Sequence, residues 1–365
     1  MQRVRIQVSA TAGIALAAAL SVAACSSSGS SSGSSSASPS SSSSSTAAKL
    51  SGSLSGSGST FQTVYQQSAI QAFKTIQPNM TVNYGSGGSG KGRTDLASGV
   101  VNFAGSDSTI PSSEASSFKK TVLYFPVVIG PITLAYNLSG VTNLKLTPTV
   151  IAEIFEGKIT KWNDSAITSI NPGVTLPSTA ITTAVRSDSS GTTQNFSLYL
   201  QKAAPSVWTL GSSSTIKWPS TARAGSGNPG VAQIIKSTPG AIGYVDYADA
   251  KASGLTFAEV KNSAGNYVAA SPSAASVSAA GVTVAPNLTF HAVDGSGAGA
   301  YPITYQSWVL VYAAQPSAND AAMLKAYLGY LLGSSGQALL APLNLAPLPA
   351  SIDQMAVAQL SQITS

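Results

Sequence analysis

The chain has 365 residues, length for two ordinary domains, and is 43% hydrophobic but only 9% charged, against roughly 25% charged in an average soluble protein. Its formal +6 is spread without any run of like charges, so a nucleic-acid partner, which needs Lys and Arg clustered on one face, is not expected. A single cysteine, Cys25, and a single histidine, His291, exclude an internal disulfide framework, a cysteine-cluster metal site and a multi-histidine zinc site.

Arg3 and Arg5 precede Ala12–Ala24, thirteen small or apolar residues. That run is short of the about 20 residues needed to span a bilayer and fits a secretory leader. It ends Val22-Ala23-Ala24-Cys25, the pattern of a bacterial lipobox, in which the cysteine is acylated (palmitate) and becomes the new N-terminus. The alternative is an ordinary leader with a chance cysteine. Residues 1–24 then form a lipoprotein signal peptide, and loss of Arg3 and Arg5 takes the charge from +6 to +4. Residues 26–45 hold sixteen serines. Such a stretch cannot offset its conformational entropy by burial, so residues 25–48 read as a lipidated cysteine and flexible tether. With the lone cysteine acylated, the exported domain has no disulfide and relies on core packing.

From residue 49 on, strand-like segments alternate with helical patterns. Thr81–Tyr84, Val127–Ile129, Ile132–Tyr136, Ala180–Val185, Gly243–Val245 and Trp308–Tyr312 read as strands. Phe61, Tyr65, Ala69, Ala72, Phe73 and Ile76 recur at helical spacing, as do Phe196, Leu200 and Ala203, and Thr149–Phe155 and Ala321–Leu332 also suit helices. The alternation predicts an α/β fold with mainly parallel sheets.

Three Gly-rich loops end an extended segment and open a helix: Gly56–Phe61, Gly85–Gly92 and Arg186–Thr192. Each is expected to place Ser or Thr at or near a helix N-cap beside glycine. Unpaired N–H donors of a first turn and the close approach glycine permits make an anion site with few charged side chains. Three such loops point to a small tetrahedral oxyanion held mainly by neutral donors.

The rival readings are weaker. Gly85-x-Gly87-x-x-Gly90 satisfies a dinucleotide fingerprint, with Asp107 about 20 residues on. Gly85-x-x-x-x-Gly90-Lys91 satisfies a P-loop until Gly92 stands where the Mg²⁺-ligating Ser or Thr belongs. Hydrolysis needs a base for its nucleophile, and His291 reads as a packed or surface residue. The Gly-x-Ser-x-Gly at Gly29–Gly33 lies inside the serine tether.

Gly58-Ser59-Thr60-Phe61, Gly88-Ser89-Gly90, Phe103-Ala104-Gly105-Ser106-Asp107 and Arg186–Thr192 resemble the phosphate-binding motifs of the periplasmic phosphate-binding proteins of ABC transporters. Phe125–Gly130, Ile159–Asp164, Ser214–Pro219 and Pro239–Val245 add to the likeness, which runs from about Ser51 to beyond Trp308. The resemblance implies an α/β, two-lobed type II periplasmic-binding-protein fold, each lobe a mainly parallel sheet flanked by helices, with the ligand in the cleft between lobes. Residues 49–135 and 302–365 would form lobe I, and residues 136–301 lobe II. Thr60, Phe61, Ser89 and Asp107 fall on lobe I; Arg186, Ser190, Gly191 and Thr192 fall on lobe II. One departure is Lys91, in a loop where the family often has Gly-Ser-Ser-Gly-Gly; it would add a charge near the mouth. Another is the Ala/Ser-rich stretch 269–284, which reads as an extra helix capped at Ser271-Pro272.

The resemblance further implies a lipid-anchored, monomeric receptor on the outer face of the cytoplasmic membrane. It would bind inorganic phosphate without a metal, cofactor or chemical step and deliver it to the permease subunits of an ABC importer. Ionised Asp107 would accept the proton that phosphate always carries and sulfate lacks, giving specificity by rejection. Arg186 would donate parallel bonds, held in plane by Asp188. Ser89, Ser190 and Thr192 would donate hydroxyls, and Thr60, Phe61, Gly191 and Thr192 backbone N–H. A secreted phosphatase or a surface adhesin on the same fold is the alternative.

Overall fold

Nine strands make one mixed sheet: β1 (Gly52–Gly58), β2 (Met80–Ser86), β3 (Phe103–Ser106), β4 (Val122–Tyr136), β5 (Thr182–Arg186), β6 (Arg223–Gly225), β7 (Ala241–Asp246), β8 (Thr256–Phe257) and β9 (Thr304–Tyr312). Their order is β2-β1-β3-β9-β4-β7-β5-β6, with β8 also paired to β4. The computed structural model describes residues 50–365; the expected leader, Cys25 and the serine tether lie outside the described residues.

The outer wings are parallel, as expected: β1 with β2 and β3, and β5 with β6 and β7. The centre is not. Strands β4 and β9 are antiparallel to each other, and β9–β3 and β4–β7 are antiparallel too. One strand carries the chain out of the first wing and the other carries it back, so two neighbours in one sheet must run in opposite directions.

Val127–Ile129 and Ile132–Tyr136, expected as two strands, are one. The run VLYFPVVIGPITLAY is buried at all but its first residue, the continuous apolar pattern of a strand covered on both faces. Its two prolines sit where a ladder bond is dispensable. Pro126 stands at a register shift: Ser307 pairs with Val128 and Trp308 with Pro126, leaving Val127 as the extra residue. Pro131 is the last residue paired with β9, and from Ile132 onward the strand pairs with β7 instead.

Helices flank both wings: α1 (Thr63–Ile76), α2 (Ser89–Ala97), α3 (Pro148–Phe155), α4 (Gly191–Ala203), α5 (Gly227–Ser237), α6 (Tyr247–Ala252), α7 (Pro272–Ala279) and α8 (Ala318–Leu332). Tyr65, Ala69 and Phe73 of α1 are buried at i, i+4 spacing. Fully burying side chains of this kind contributes roughly 1.5–3 kcal/mol each. The Ala/Ser-rich stretch does yield a helix, α7, and the Ser271 hydroxyl accepts from the Ala274 amide at 3.1 Å. His291 is exposed.

Candidate functional site

The three Gly-rich loops meet where the two wings of the sheet come together, and each places Ser or Thr at or near a helix start as expected. In α4 the Ser190 hydroxyl caps the helix, accepting from the Thr193 amide at 3.2 Å. Helix α1 begins after Gln62, whose amide reaches back to the Ser59 hydroxyl at 3.4 Å. Helix α2 begins after Gly88, which has φ +89°. A Cβ at Gly88 would also stand 2.3 Å from an Asp188 carboxylate oxygen, so strain and contact both demand glycine.

Asp107 follows β3 and is buried. Its Oδ1 accepts from the Ser59 and Ser307 hydroxyls, both at 2.5 Å, and its Oδ2 from the Ser89 hydroxyl at 3.3 Å. Burial pushes its pKa above the ordinary carboxylate value, while Ser307, Ser59, the Arg186 charge and Ser89 pull it back. The Ser89 oxygen also accepts from the Asp107 amide at 3.1 Å and from the Gly191 amide at 3.2 Å. One hydroxyl therefore links both wings. Its single hydrogen and both lone pairs are engaged.

Arg186 ends β5 with a buried side chain. Its Nε donates to Asp188 Oδ1 at 2.8 Å and its Nη2 to Asp188 Oδ2. The parallel fork expected for an anion is thus given to Asp188, and Nη1 points to the Thr192 hydroxyl at 3.3 Å. Burial alone would lower the Arg186 pKa; bonding and charge from Asp188 outweigh it, and the net shift is upward. Burial would raise Asp188; Arg186 and the Gly227 amide reverse that and hold it below its usual range. The Tyr244 hydroxyl accepts from the Arg186 amide at 3.0 Å, and burial pushes this phenol up to about 12.

Thr60 meets the second wing directly, since Asn228 Nδ2 donates to its Oγ1 at 3.0 Å. Phe61 buries its ring against Tyr305, with centroids 4.4 Å apart. Among the described residues, the amides of Thr60, Phe61 and Thr192 have no hydrogen-bond acceptor. Gly191 is also closely packed: a Cβ there would lie 2.5 Å from Ser89 Oγ and 2.6 Å from Asp107 Cβ. A neighbouring cavity of about 210 Å³ is lined by Thr60, Thr63, Gly227 and Asp249 among others.

All eight expected site residues therefore gather at one junction, with Asp188 behind Arg186. Lys91 does not add a charge to the mouth: its ammonium pairs with Asp95 at 2.7 Å, one helical turn along α2. The sequence reading missed Ser307, Asn195, Gln306 and Asn228, which arrive from distant segments and carry no local motif. Ser59 lay inside a recognised motif yet was not singled out. Among the described residues there is no group of three or more His, Cys, Asp or Glu able to hold a metal, and no helix is long and apolar enough to cross a membrane.

Residues 43–335 match the model of the PBP superfamily domain. The phosphate-binding protein PstS of Xylella fastidiosa (strain Temecula1) is 37% identical over 281 residues, covering 74% of this chain and 75% of that protein. PstS 3 of Mycobacterium tuberculosis (strain H37Rv), also named a phosphate-binding protein, is 32% identical over 308 residues, covering 80% and 81%. Among solved structures, a putative phosphate ABC transporter substrate-binding protein from Clostridium perfringens with bound phosphate has a TM-score of 0.60 at 18% identity. That alignment covers 82% of this chain and all of the other. At such identity it speaks to the fold, which is the expected one.

Proposed function

The chain belongs to the PstS family of phosphate-binding proteins within the PBP superfamily, and from that premise we propose that it captures inorganic phosphate outside the cell and delivers it to the permease subunits of an ABC importer. The observation that carries this reading is the convergence of Ser59, Thr60, Phe61, Ser89 and Asp107 on Arg186, Ser190, Gly191 and Thr192, with three main-chain amides left unpaired. As a solute-binding protein it is not an enzyme.

The lobes are residues 49–135 with 302–365, and residues 136–301. The change of partner along β4 at Pro131 and Ile132 supports a crossing close to the first boundary. A hinge there lets the lobes close on the anion, desolvate it and complete its donors. The unpaired amides of Thr60, Phe61 and Thr192 take its oxygens, with Arg186 Nη1, the hydroxyls of Ser190 and Thr192, and the Gly191 amide as it turns from Ser89 Oγ. Ser89 turns its hydrogen from Asp107 Oδ2 to the anion, and the freed Oδ2 accepts the anion's own O–H. The number of bonds is conserved only for an anion that brings a proton. Sulfate, fully deprotonated near neutral pH, leaves two negative oxygens facing each other.

Because Asp188 neutralises Arg186, the site carries little net positive charge and affinity depends weakly on ionic strength, a dependence that titration across salt concentration measures. Upstream, Cys25 carries the lipid that holds the monomer at the outer face of the membrane, and the serine tether gives it reach; mass spectrometry of the mature N-terminus tests this. Isothermal titration of the whole chain with phosphate, sulfate and arsenate tests the binding itself. Phosphate and arsenate, both protonated, should bind in competition and sulfate should not; equal binding of all three would overturn the reading.

A further inference from the structure

Asn195 lies one turn into α4, buried, and its single amide nitrogen bridges the two wings. Nδ2 donates to the Asp107 main-chain oxygen at 2.7 Å and to the Gly191 oxygen at 2.9 Å. Its Oδ1 accepts from Gln306 Nε2 at 3.4 Å, and Gln306 Oε1 accepts from the Ala292 amide at 2.9 Å. The polarity of this chain is fixed at its far end. A backbone N–H only donates, so Gln306 must present oxygen to Ala292 and nitrogen to Asn195. Asn195 must then present oxygen to Gln306 and nitrogen to the two carbonyls. Among the described residues Asn195 is the only donor to the Asp107 carbonyl. Gln306 adjoins Ser307 on β9, and Ser307 holds the carboxylate of the same aspartate.

Asp107 is thus gripped at both ends. Ser59, Ser307 and Ser89 hold its carboxylate; Asn195 holds its carbonyl and ties it to Gly191, where the donor-bearing helix begins. We propose that Asn195 is a positioning residue for oxyanion discrimination, setting the register of Asp107 against the α4 N-terminus without touching the anion. The inference rests on the phosphate-binding reading above. A proton on the bound anion is read only if Asp107 Oδ2 stands within hydrogen-bond distance of it. An unanchored Asp107 moves off that position while the remaining donors still take any tetrahedral anion.

The test is competitive titration of the full-length chain with phosphate and sulfate, in the parent, Asn195→Ala and Gln306→Glu. Gln306→Glu keeps an oxygen for the Ala292 amide but places a second one against Asn195 Oδ1, which favours the flipped amide and turns the Asn195 oxygen toward the two carbonyls. In both variants phosphate binding should weaken at least tenfold while sulfate binding stays level or strengthens, so the preference for phosphate shrinks at least tenfold. An equal loss for both anions, the signature of a purely structural role, overturns the proposal, as does an unchanged preference in Gln306→Glu should Asn195→Ala fail to fold. Failure of the parent to bind phosphate overturns the functional reading itself, a separate and distinguishable result.

Discussion

The Ser307 hydroxyl donates to Asp107 Oδ1 at 2.5 Å although 200 residues separate the two in the chain. The register shift of β9 against β4 falls directly after Ser307, and the neighbouring Trp308 pairs with Ser106, the residue before Asp107. Removing one donor from a buried carboxylate costs about 1–3 kcal/mol. Ser307→Ala should therefore weaken phosphate about tenfold (1.4 kcal/mol per decade) and lower the melting temperature of the ligand-free protein. Titration and thermal unfolding check both; unchanged values in each would show that the bond contributes nothing.

Asp107→Asn keeps the shape and removes the charge. An amide donor at the Oδ2 position welcomes a bare oxyanion and repels a proton-bearing one. Phosphate affinity should fall at least tenfold, sulfate affinity should rise, and the two should converge. A preserved ratio between the anions, measured by titration of each, would dismiss the carboxylate as the proton reader.

Gly191→Ala places a methyl group between the lobes, 2.5 Å from Ser89 Oγ and 2.6 Å from Asp107 Cβ. Under the proposed hinge motion, opening the cleft makes room for that methyl and closing it does not. Phosphate binding should drop below detection while the ligand-free melting temperature stays within about 2 °C, a shift worth roughly 1.3 kcal/mol at this size. Tight binding by the variant would mean that the lobes need not approach this closely.

Asp246 gives a pH-dependent prediction. It caps α6, its Oδ1 accepting from the Asp249 amide at 3.0 Å, while its Oδ2 is buried without a partner. Burial and the facing Asp249 carboxyl, with Asp107 further off, push its pKa well above the ordinary carboxylate value; burial raises Asp249 as well. A raised acid stabilises the fold while protonated, below its unfolded pKa near 3.8, and that contribution is lost as pH rises through the folded value. Asp95, Asp188 and Glu156, all lowered, act in the opposite sense and lose their contribution as pH falls. The difference between parent and Asp246→Asn isolates the pair. The variant keeps the capping oxygen and gives Asp249 a donor, so it should melt about 1–2 °C above the parent at pH 8, roughly 1 kcal/mol at this size, with the gap narrowing toward pH 5. A gap independent of pH would contradict the raised pKa values of this pair.

Much of the site was legible because its motifs are local. Gly58–Phe61, Gly88–Gly90 and Arg186–Thr192 each carry their chemistry within seven residues or fewer; the second and third follow strands that periodicity reveals, whereas β1, GSLSGSG, is not among the strands expected. What stayed hidden was non-local. Ser307 and Gln306 read as ordinary polar residues in a strand, and nothing in their spacing announces Asp107 or Asn195. The engagement of Ser89 with Asp107 depends on distances no sequence prints; the pairing of Arg186 with Asp188, two residues on, was expected, and the structure adds that it takes both arms of the fork. The antiparallel centre was likewise missed, because strand patterns report burial and period but not direction. Pro131 was the one available sign that β4 changes partners where it does.

The most direct test of the central claim is a crystal structure of the chain grown with phosphate. The account predicts one anion between the lobes, at hydrogen-bond distances of about 2.7–3.2 Å from the amides of Thr60, Phe61 and Thr192 and from Arg186, with one of its oxygens on Asp107 Oδ2. An anion seated elsewhere, or one bound while Ser89 still occupies Asp107 Oδ2, would contradict it.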